Sequence, residues 1–230
     1  MPSWPDAAIL PASRKTLVTR SKSLINRRLQ HPWARPLAFS LWCLPFGWLV
    51  WAAFYDHLGA NPAEALVRSL GDWTLRALVL VMAVTPLRVT FGWPALARWR
   101  RMLGLFVFFY ASLHLTAYAW FDMGFAWEEM LGDVIKRPFI LVGMVSWFLL
   151  LLLALTSFNR AIRWLGARRW QWLHRAIYAV CALSILHFFW MRAGKNDFAE
   201  VAVYGTLLGA LLGWRAWRYF TAHLLPFKPS

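Results

Sequence analysis

The sequence is poor in acidic residues, in cysteine and in the short motifs that mark common soluble catalytic sites. Asp and Glu number 10 of 230 residues, and charged residues of both signs make up 15%. Cys43 and Cys181 lie far apart in apolar stretches and form no CxxC pair, which argues against a disulfide or a thiol redox site. The sequence contains no GxGxxG, Walker or HExxH motif. A dinucleotide fold, a P-loop enzyme and a zinc protease are therefore not indicated.

Apolar residues are present in excess. Hydrophobic residues make up 60% of the chain and aromatic residues 17%. A helix needs about 20 mostly apolar residues to cross a hydrocarbon core of roughly 30 Å. Six such stretches occur, at residues 37–55, 72–89, 102–121, 138–157, 173–191 and 199–217. They predict an all-α integral membrane protein whose residues 37–218 form a six-transmembrane-helix bundle.

The formal net charge of +15 could suggest a nucleic-acid partner, but the basic residues follow alternate loops instead. Most of the 25 Lys and Arg residues lie before the first span, at 88–101, at 160–175 and after residue 214. Loops rich in Lys and Arg face the cytoplasm. We therefore expect no nucleic-acid partner and a multi-pass protein with both termini cytoplasmic. Residues 1–36 form a basic N-terminal tail without a cleavable signal, and residues 219–230 form a short C-terminal tail.

Three histidines fall inside the predicted spans. His114 lies in span three, and His174 and His187 lie in span five. Polar groups at membrane depth are costly and usually functional. One buried histidine would most simply be structural, whereas three on two helices indicate a metal. Because the spans contain almost no acids, iron in heme, which suits imidazole ligands, is favoured over a nonheme ion.

The spacing of these histidines predicts two sites. His174 and His187 lie roughly 20 Å apart along a helix, so one heme cannot use both. One heme near each membrane face would give an electron path across the membrane. The angular relation is less favourable, because thirteen residues leave the pair about 140° apart on an ideal helix. The hypothesis therefore requires a helix distortion or a first-turn position for His174.

Depth then predicts partners for the two sites. His114 is deep enough in span three to face His187, which gives a b-type heme site between spans three and five. Arg100 lies fourteen residues before His114, within roughly 40° of the same face, and is the candidate inner-heme partner of His174. It could instead be a snorkelling anchor. Four basic residues near the outer edge are either anchors or partners of heme propionates: Arg76, Lys136, Arg137 and Arg192.

Several segments resemble a known family. The segments RRMLGLFVFFYASLHLTAYAW, KRPFILVG, LALTS, LGARRWQWLHRAIY and LHFFW resemble the MsrQ (formerly YedZ) family over residues 37–218. These proteins are heme-binding membrane subunits of bacterial periplasmic methionine-sulfoxide reductases, within the ferric-reductase-like transmembrane group. The resemblance places His114, His174 and His187 at family heme positions. Arg100 stands where the wider group usually has a second histidine.

The resemblance implies an electron-transfer subunit of the bacterial inner membrane, with one or two b-type hemes and possibly FMN. Electrons would come from a cytoplasmic flavin reductase or from quinol and pass to a periplasmic molybdopterin enzyme, MsrP. The sulfoxide chemistry would then occur in that partner, and this chain would hold no catalytic residue of its own. About a dozen residues follow the last span, too few for a flavin domain, so a separate donor is expected. A stand-alone ferric reductase, a quinol-oxidising cytochrome b and a heme-free transporter or scaffold remain alternatives.

Overall fold

The computed structural model describes residues 24–224, and every regular element among them is helical. The helices are α1 (residues 24–30), α2 (Ala34–Phe54), α3 (Pro62–Phe91), α4 (Arg100–Ala117), α5 (Trp127–Lys136), α6 (Pro138–Leu155), α7 (Asn159–Leu165), α8 (Ala167–His174), α9 (Ile177–Ala193) and α10 (Ala199–Leu224). A 3₁₀ segment, Pro94–Trp99, leads into α4, and a π-helical turn, Tyr118–Asp122, extends it. The prediction of an all-α chain is confirmed.

Five segments within residues 24–224 are long and apolar enough to cross a membrane. They are Ala34–Phe54, Pro62–Phe91, Pro94–Asp122, Pro138–Leu155 and Ala167–Ala193. The protein is therefore a multi-pass membrane protein. The sixth predicted span, residues 199–217, lies within α10, which is long enough but does not belong to the five. Glycine, tyrosine, tryptophan and Arg215 lower the mean hydropathy of α10, so a sixth span stays a prediction.

The predicted tails lie partly outside the described residues. Residues 1–23 of the N-terminal tail and residues 225–230 of the C-terminal tail are not described. The remainder of the N-terminal tail contains α1, and α2 already begins at Ala34. At the other terminus α10 continues to Leu224, past the predicted boundary at residue 218. The domain division into 1–36, 37–218 and 219–230 stays a prediction.

α3 begins well before the predicted start of span two at residue 72. The Asn61 side chain accepts a hydrogen bond from the Glu64 backbone N–H at 3.2 Å, and Pro62 occupies the first helical position. The helix ends at Gly92, whose positive φ of 68° suits a residue without a Cβ. The extra turns at the start of α3 carry Arg68 to the same end of the bundle as α5.

The bundle is organised around two closely packed helix pairs, α3 with α4 and α6 with α9. α10 lies against α3 and α9, and α2 lies against α3. The central core is built from small and branched side chains of these helices: Ala77, Leu78, Val107, Leu150, Val180 and Leu208. Many larger apolar side chains remain exposed on the outer faces, as expected of helices that face lipid. On α5, Trp127, Leu131 and Ile135 share one exposed apolar face, which is typical of an interfacial helix.

The fifth predicted span is interrupted. α8 ends at His174, α9 begins at Ile177, and the two residues between them form a turn. The estimate of 140° between His174 and His187 assumed one ideal helix, so it does not apply across this turn. His174 therefore belongs to a short helix that precedes the long one carrying His187.

Arg215 in α10 compensates for a proline in α3. Pro86 has no N–H, so the Met82 carbonyl four residues earlier loses its usual helical donor. Arg215 Nη2 donates to that carbonyl at 2.6 Å, and Nη1 donates to the Leu211 carbonyl at 3.3 Å. The guanidinium therefore joins α10 to α3 and satisfies a carbonyl within the membrane-spanning bundle.

We predict that Arg215→Met destabilises the protein by about 1–3 kcal/mol, because the Met82 carbonyl would be left without a donor. Pro86→Ala supplies the missing N–H, so the cost of Arg215→Met should fall in that background. Thermal unfolding of both single variants and the double variant in detergent measures this coupling. The exposed Arg218→Met on the same helix is the matched control. An equal cost of Arg215→Met in both backgrounds would contradict the assignment.

Candidate functional site

His114 and His187 lie side by side in the centre of the bundle. Their ring centroids are 6.2 Å apart and their planes are nearly perpendicular, at 86°. His114 comes from α4 and His187 from α9, so each of the two helix pairs contributes one imidazole. The structure thus brings together the two histidines that membrane depth had paired.

Each of these imidazoles is fixed by a backbone carbonyl of the neighbouring helix. His114 Nδ1 lies 2.8 Å from the Val67 carbonyl oxygen in α3, and His187 Nδ1 lies 2.6 Å from the Phe139 carbonyl oxygen in α6. A carbonyl oxygen can only accept, so Nδ1 carries the proton and donates in both bonds. In a neutral imidazole this leaves Nε2 with a free lone pair. Both rings are therefore held in the tautomer that ligates metal through Nε2.

The separation of the two rings suits a shared metal ion. An ion in line between two imidazole nitrogens, at about 2.0–2.1 Å from each, separates the ring centroids by roughly 6.4 Å. The observed separation is 6.2 Å. Within residues 24–224 no cluster of three or more His, Cys, Asp or Glu side chains is arranged to hold a metal. Among the described residues, the two imidazoles therefore have no third side chain beside them that is arranged as a metal ligand.

A cavity of about 300 Å³ adjoins the paired histidines. It lies between α3, α4, α6 and α9 and is lined mainly by apolar side chains. Five charged side chains also line it: Arg68, Asp72, Asp122, Arg137 and Arg192. Cavities of this kind, apolar with a few polar groups, are typical of cofactor sites.

Arg192 is the most buried of these charged residues, with 6% of its surface exposed. Its Nη1 lies 3.0 Å from Asp197 Oδ2, and its Nη2 donates to Glu200 Oε2. Its Nε is buried and has no hydrogen-bond partner among the described residues. Arg137 is likewise paired, with Asp133 at 2.8 Å. The cations that line the cavity are thus held in place by acidic residues at the α5 end of the bundle.

Arg76 and Lys136 do not line this cavity. Arg76 lies over the Trp73 ring, 4.6 Å from its centroid, in a second cavity between α2, α3 and α10. Lys136 ends α5 and is exposed. Of the four outer-edge residues left open by the sequence, Arg137 and Arg192 therefore line the cavity that adjoins the paired histidines.

His174 occupies a separate position at the end of α8. Its Nδ1 lies 3.1 Å from the Trp170 carbonyl oxygen, and its ring stacks on Trp170 with centroids 3.9 Å apart. Its Nε2 is 3.5 Å from Ser157 Oγ, at the limit of a weak hydrogen bond. Among residues 24–224, His174 lines neither of the two cavities described above.

Arg100 begins α4 and is exposed. It is near enough to His174 for the two side chains to interact electrostatically, at the end of the bundle opposite α5. Arg101 instead donates to Asn159 Oδ1 at 2.8 Å, which ties α4 to α7.

Sequence reasoning missed the groups that orient the imidazoles. The Val67 and Phe139 acceptors are backbone carbonyls, which every residue possesses, so no sequence signal marks them. Arg215 was counted only as a topology residue, although a charged side chain within an apolar helix is a recognisable signal of a functional or bonded group.

The fold and the site define a multi-pass helical membrane protein with a paired-histidine site in its bundle. Residues 70–185 match the family model described as ferric reductase like transmembrane component. That range includes His114 and His174, and His187 lies two residues beyond it. No solved structure showed a significant match.

Curated relatives identify the family. The chain is 59% identical over 192 residues to the protein-methionine-sulfoxide reductase heme-binding subunit MsrQ of Polaromonas naphthalenivorans, covering 84% of this chain and 88% of the relative. It is 53% identical to the MsrQ of Herminiimonas arsenicoxydans over 74% of this chain and 78% of the relative. It is 52% identical to that of Bordetella pertussis over 80% and 89%. The chain belongs to the MsrQ family.

We predict that Glu200→Ala destabilises the protein by about 1–3 kcal/mol, because it removes an acceptor from the buried Arg192 guanidinium. Lys195→Ala is the matched control, since it breaks only the exposed pair with Glu64, worth about 0–1 kcal/mol. Thermal unfolding in detergent compares the two. Equal losses would show that burial does not strengthen the Arg192 interaction.

Proposed function

We propose that this chain is a b-type cytochrome that carries electrons across the bacterial inner membrane to a periplasmic molybdopterin methionine-sulfoxide reductase, MsrP. The observation that carries the proposal is the pair of His114 and His187. Their ring centroids lie 6.2 Å apart, and because each Nδ1 donates to a carbonyl, each Nε2 keeps a lone pair for a metal. The names of the curated relatives, heme-binding subunits of a methionine-sulfoxide reductase, support the same function.

Heme fits the residues present. A porphyrin supplies four nitrogens to its iron, so His114 and His187 would hold the group by supplying the remaining ligands. When bound, heme supplies a reversible one-electron couple. The apolar walls of the cavity would exclude water from this couple, and Arg68, Arg137 and Arg192, which line the cavity, would be available to bind the propionates. These contributions hold and tune the group without any catalytic side chain.

His174 is the candidate ligand of a second heme near the opposite end of the bundle. Its Nδ1 bond to the Trp170 carbonyl fixes the same tautomer as in the other two histidines. Arg100 is its proposed partner, as a propionate contact or as an unusual ligand. One or two hemes per chain are therefore proposed, and FMN is a further candidate cofactor from the family resemblance alone.

The proposed direction of transfer follows from the charge distribution. The end that contains Arg100 and α8 is rich in Arg, and we place it, with both termini, in the cytoplasm. A flavin reductase or quinol would donate electrons there, and MsrP would accept them at the α5 end. The sulfoxide reduction itself would occur in MsrP.

One observation favours quinol as the donor. The second cavity, of about 390 Å³, lies between α2, α3 and α10 and contains Trp42, Trp73, Arg76 and Tyr204, so a quinol bound there would donate away from the Arg100 end. Aromatic walls with an arginine and a phenol suit a flat carbonyl-bearing head group, and lipid-facing leucines suit its apolar tail. A quinol-oxidising cytochrome b is therefore the second candidate function.

We predict that purified protein contains one or two hemes per chain and that single histidine substitutions remove heme selectively. His114→Ala or His187→Ala should remove the heme of the paired site, whereas His174→Ala should remove only the other. Pyridine hemochrome assays and reduced-minus-oxidised spectra measure this. His57→Ala, an exposed histidine, is the control and should keep the full heme content. A wild-type protein that stays colourless after heme supplementation would exclude a cytochrome.

We predict that proteoliposomes containing the protein reduce external MsrP when a flavin reductase with NADH, or a quinol, supplies electrons from the proposed cytoplasmic side. Stopped-flow spectra of heme reoxidation measure the transfer. Reoxidation by ferric chelate but not by MsrP would favour the stand-alone ferric reductase. Reduction by quinol but not by the flavin reductase would select the second candidate.

A further inference from the structure

Two glycines face the paired imidazoles at short distances. A Cβ built on Gly143 in α6 would lie 2.8 Å from His187 Nδ1 and 2.9 Å from its Cε1. A Cβ on Gly71 in α3 would lie 3.3 Å from both Nδ1 and Cε1 of His114. By contrast, a Cβ on Gly104 or Gly209 would meet nothing within 4 Å. Close contact with an imidazole is thus a property of particular glycines and does not extend to all helical glycines in the bundle.

Both glycines occupy the same register relative to the carbonyl that holds the ring. Gly71 lies four residues after Val67, and Gly143 lies four residues after Phe139. In an α-helix the residue at i+4 donates its N–H to the carbonyl of residue i and lies on the same face. A side chain there would cover the second lone pair of that carbonyl, which is the one available to a neighbouring ring.

We propose that Gly71 and Gly143 are positioning residues that set the orientation of the two heme-ligating imidazoles. This inference rests on the proposed heme function. Each glycine opens the helix surface so that Nδ1 of a histidine from the neighbouring helix reaches an intrahelical carbonyl. The bond fixes the tautomer, the ring plane and the direction of Nε2. The perpendicular arrangement of the rings, at 86°, results from two such contacts on different helices.

A purely structural role would make a different prediction. Glycines that only allow close helix packing would, when replaced, change stability without changing the relative orientation of the two rings. Positioning glycines change the ring orientation first, because the nearest atoms to the added Cβ belong to the imidazole. The angle between axial imidazole planes determines the anisotropy of the low-spin ferric signal in electron paramagnetic resonance. This signal therefore separates the two roles.

The test compares Gly143→Ala and Gly71→Ala with Gly104→Ala and Gly209→Ala in the full-length, heme-loaded protein. We expect Gly143→Ala to lose the low-spin signal of the paired heme or to shift it strongly. Gly71→Ala should keep that heme but shift its signal and midpoint potential. Its Cβ would lie 3.3 Å from the His114 ring, a contact that a small ring movement relieves, whereas the Cβ of Gly143→Ala would lie 2.8 Å from the His187 ring, which is too close for such relief. Both controls should match wild type in heme content, signal and potential.

The outcomes remain decisive if one variant fails to fold. If Gly143→Ala cannot be purified, the test rests on the milder variant, Gly71→Ala. A wild-type low-spin signal and midpoint potential in Gly71→Ala would overturn the proposal. A shift of equal size in Gly104→Ala would overturn it as well. If wild-type protein binds no heme, the proposed function fails. Nitrogen-15 NMR of the histidines in wild type and Gly71→Ala then shows whether the glycine still fixes the Nδ1-protonated tautomer, and an unchanged tautomer population would overturn the positioning role.

Discussion

The structure depends on two hydrogen bonds, each of which joins a buried imidazole on one helix to a backbone carbonyl on the other helix of its pair. An unpaired polar group in hydrocarbon costs several kcal/mol, so a histidine at this depth must find a donor or acceptor on a neighbour. His114 finds the Val67 carbonyl, and His187 finds the Phe139 carbonyl. Because these bonds join α3 to α4 and α6 to α9, the contacts that satisfy the rings also set the register of the two main helix pairs. The same hydrogen bonds therefore determine both the packing of the helix pairs and the geometry of the paired histidines.

Other side chains in the bundle also donate hydrogen bonds to backbone carbonyls. Because Pro86 has no N–H, the Met82 carbonyl lacks its helical donor, and Arg215 from α10 donates a hydrogen bond to it instead. A charged side chain on one helix thus compensates for a proline in another. His174 differs from the paired histidines because its carbonyl partner, Trp170, lies on its own short helix. The paired histidines are thus held by hydrogen bonds between helices, whereas His174, at the end of the bundle opposite α5, is held by a bond within its own helix.

Sequence reasoning found the histidines because membrane depth makes any polar residue conspicuous, and helical rise was enough to set His114 opposite His187. The 140° between His174 and His187 required a helix distortion, but sequence reasoning did not place it directly after His174, since the residues there include no proline or glycine to mark a turn. Nor did it locate the start of α3 at Pro62, because the capping signal of Asn61 precedes a polar segment that hydropathy alone assigns to a loop. Gly71 and Gly143 were passed over because a glycine within an apolar helix has the same appearance whether it faces lipid or a ring.

The sequence by itself determined that the chain is an all-helical membrane protein, which three histidines fall within its apolar stretches, and which loops are basic. These properties depend on composition and on spacing along one helix, and both can be read from neighbouring residues. Only the tertiary structure decided which carbonyl orients each imidazole, that two glycines face those rings, and that Arg137 and Arg192 adjoin the pair while Arg76 does not. The physical reason is that these contacts join residues far apart in the chain, and their partners are fixed by how the helices rotate and pack against each other.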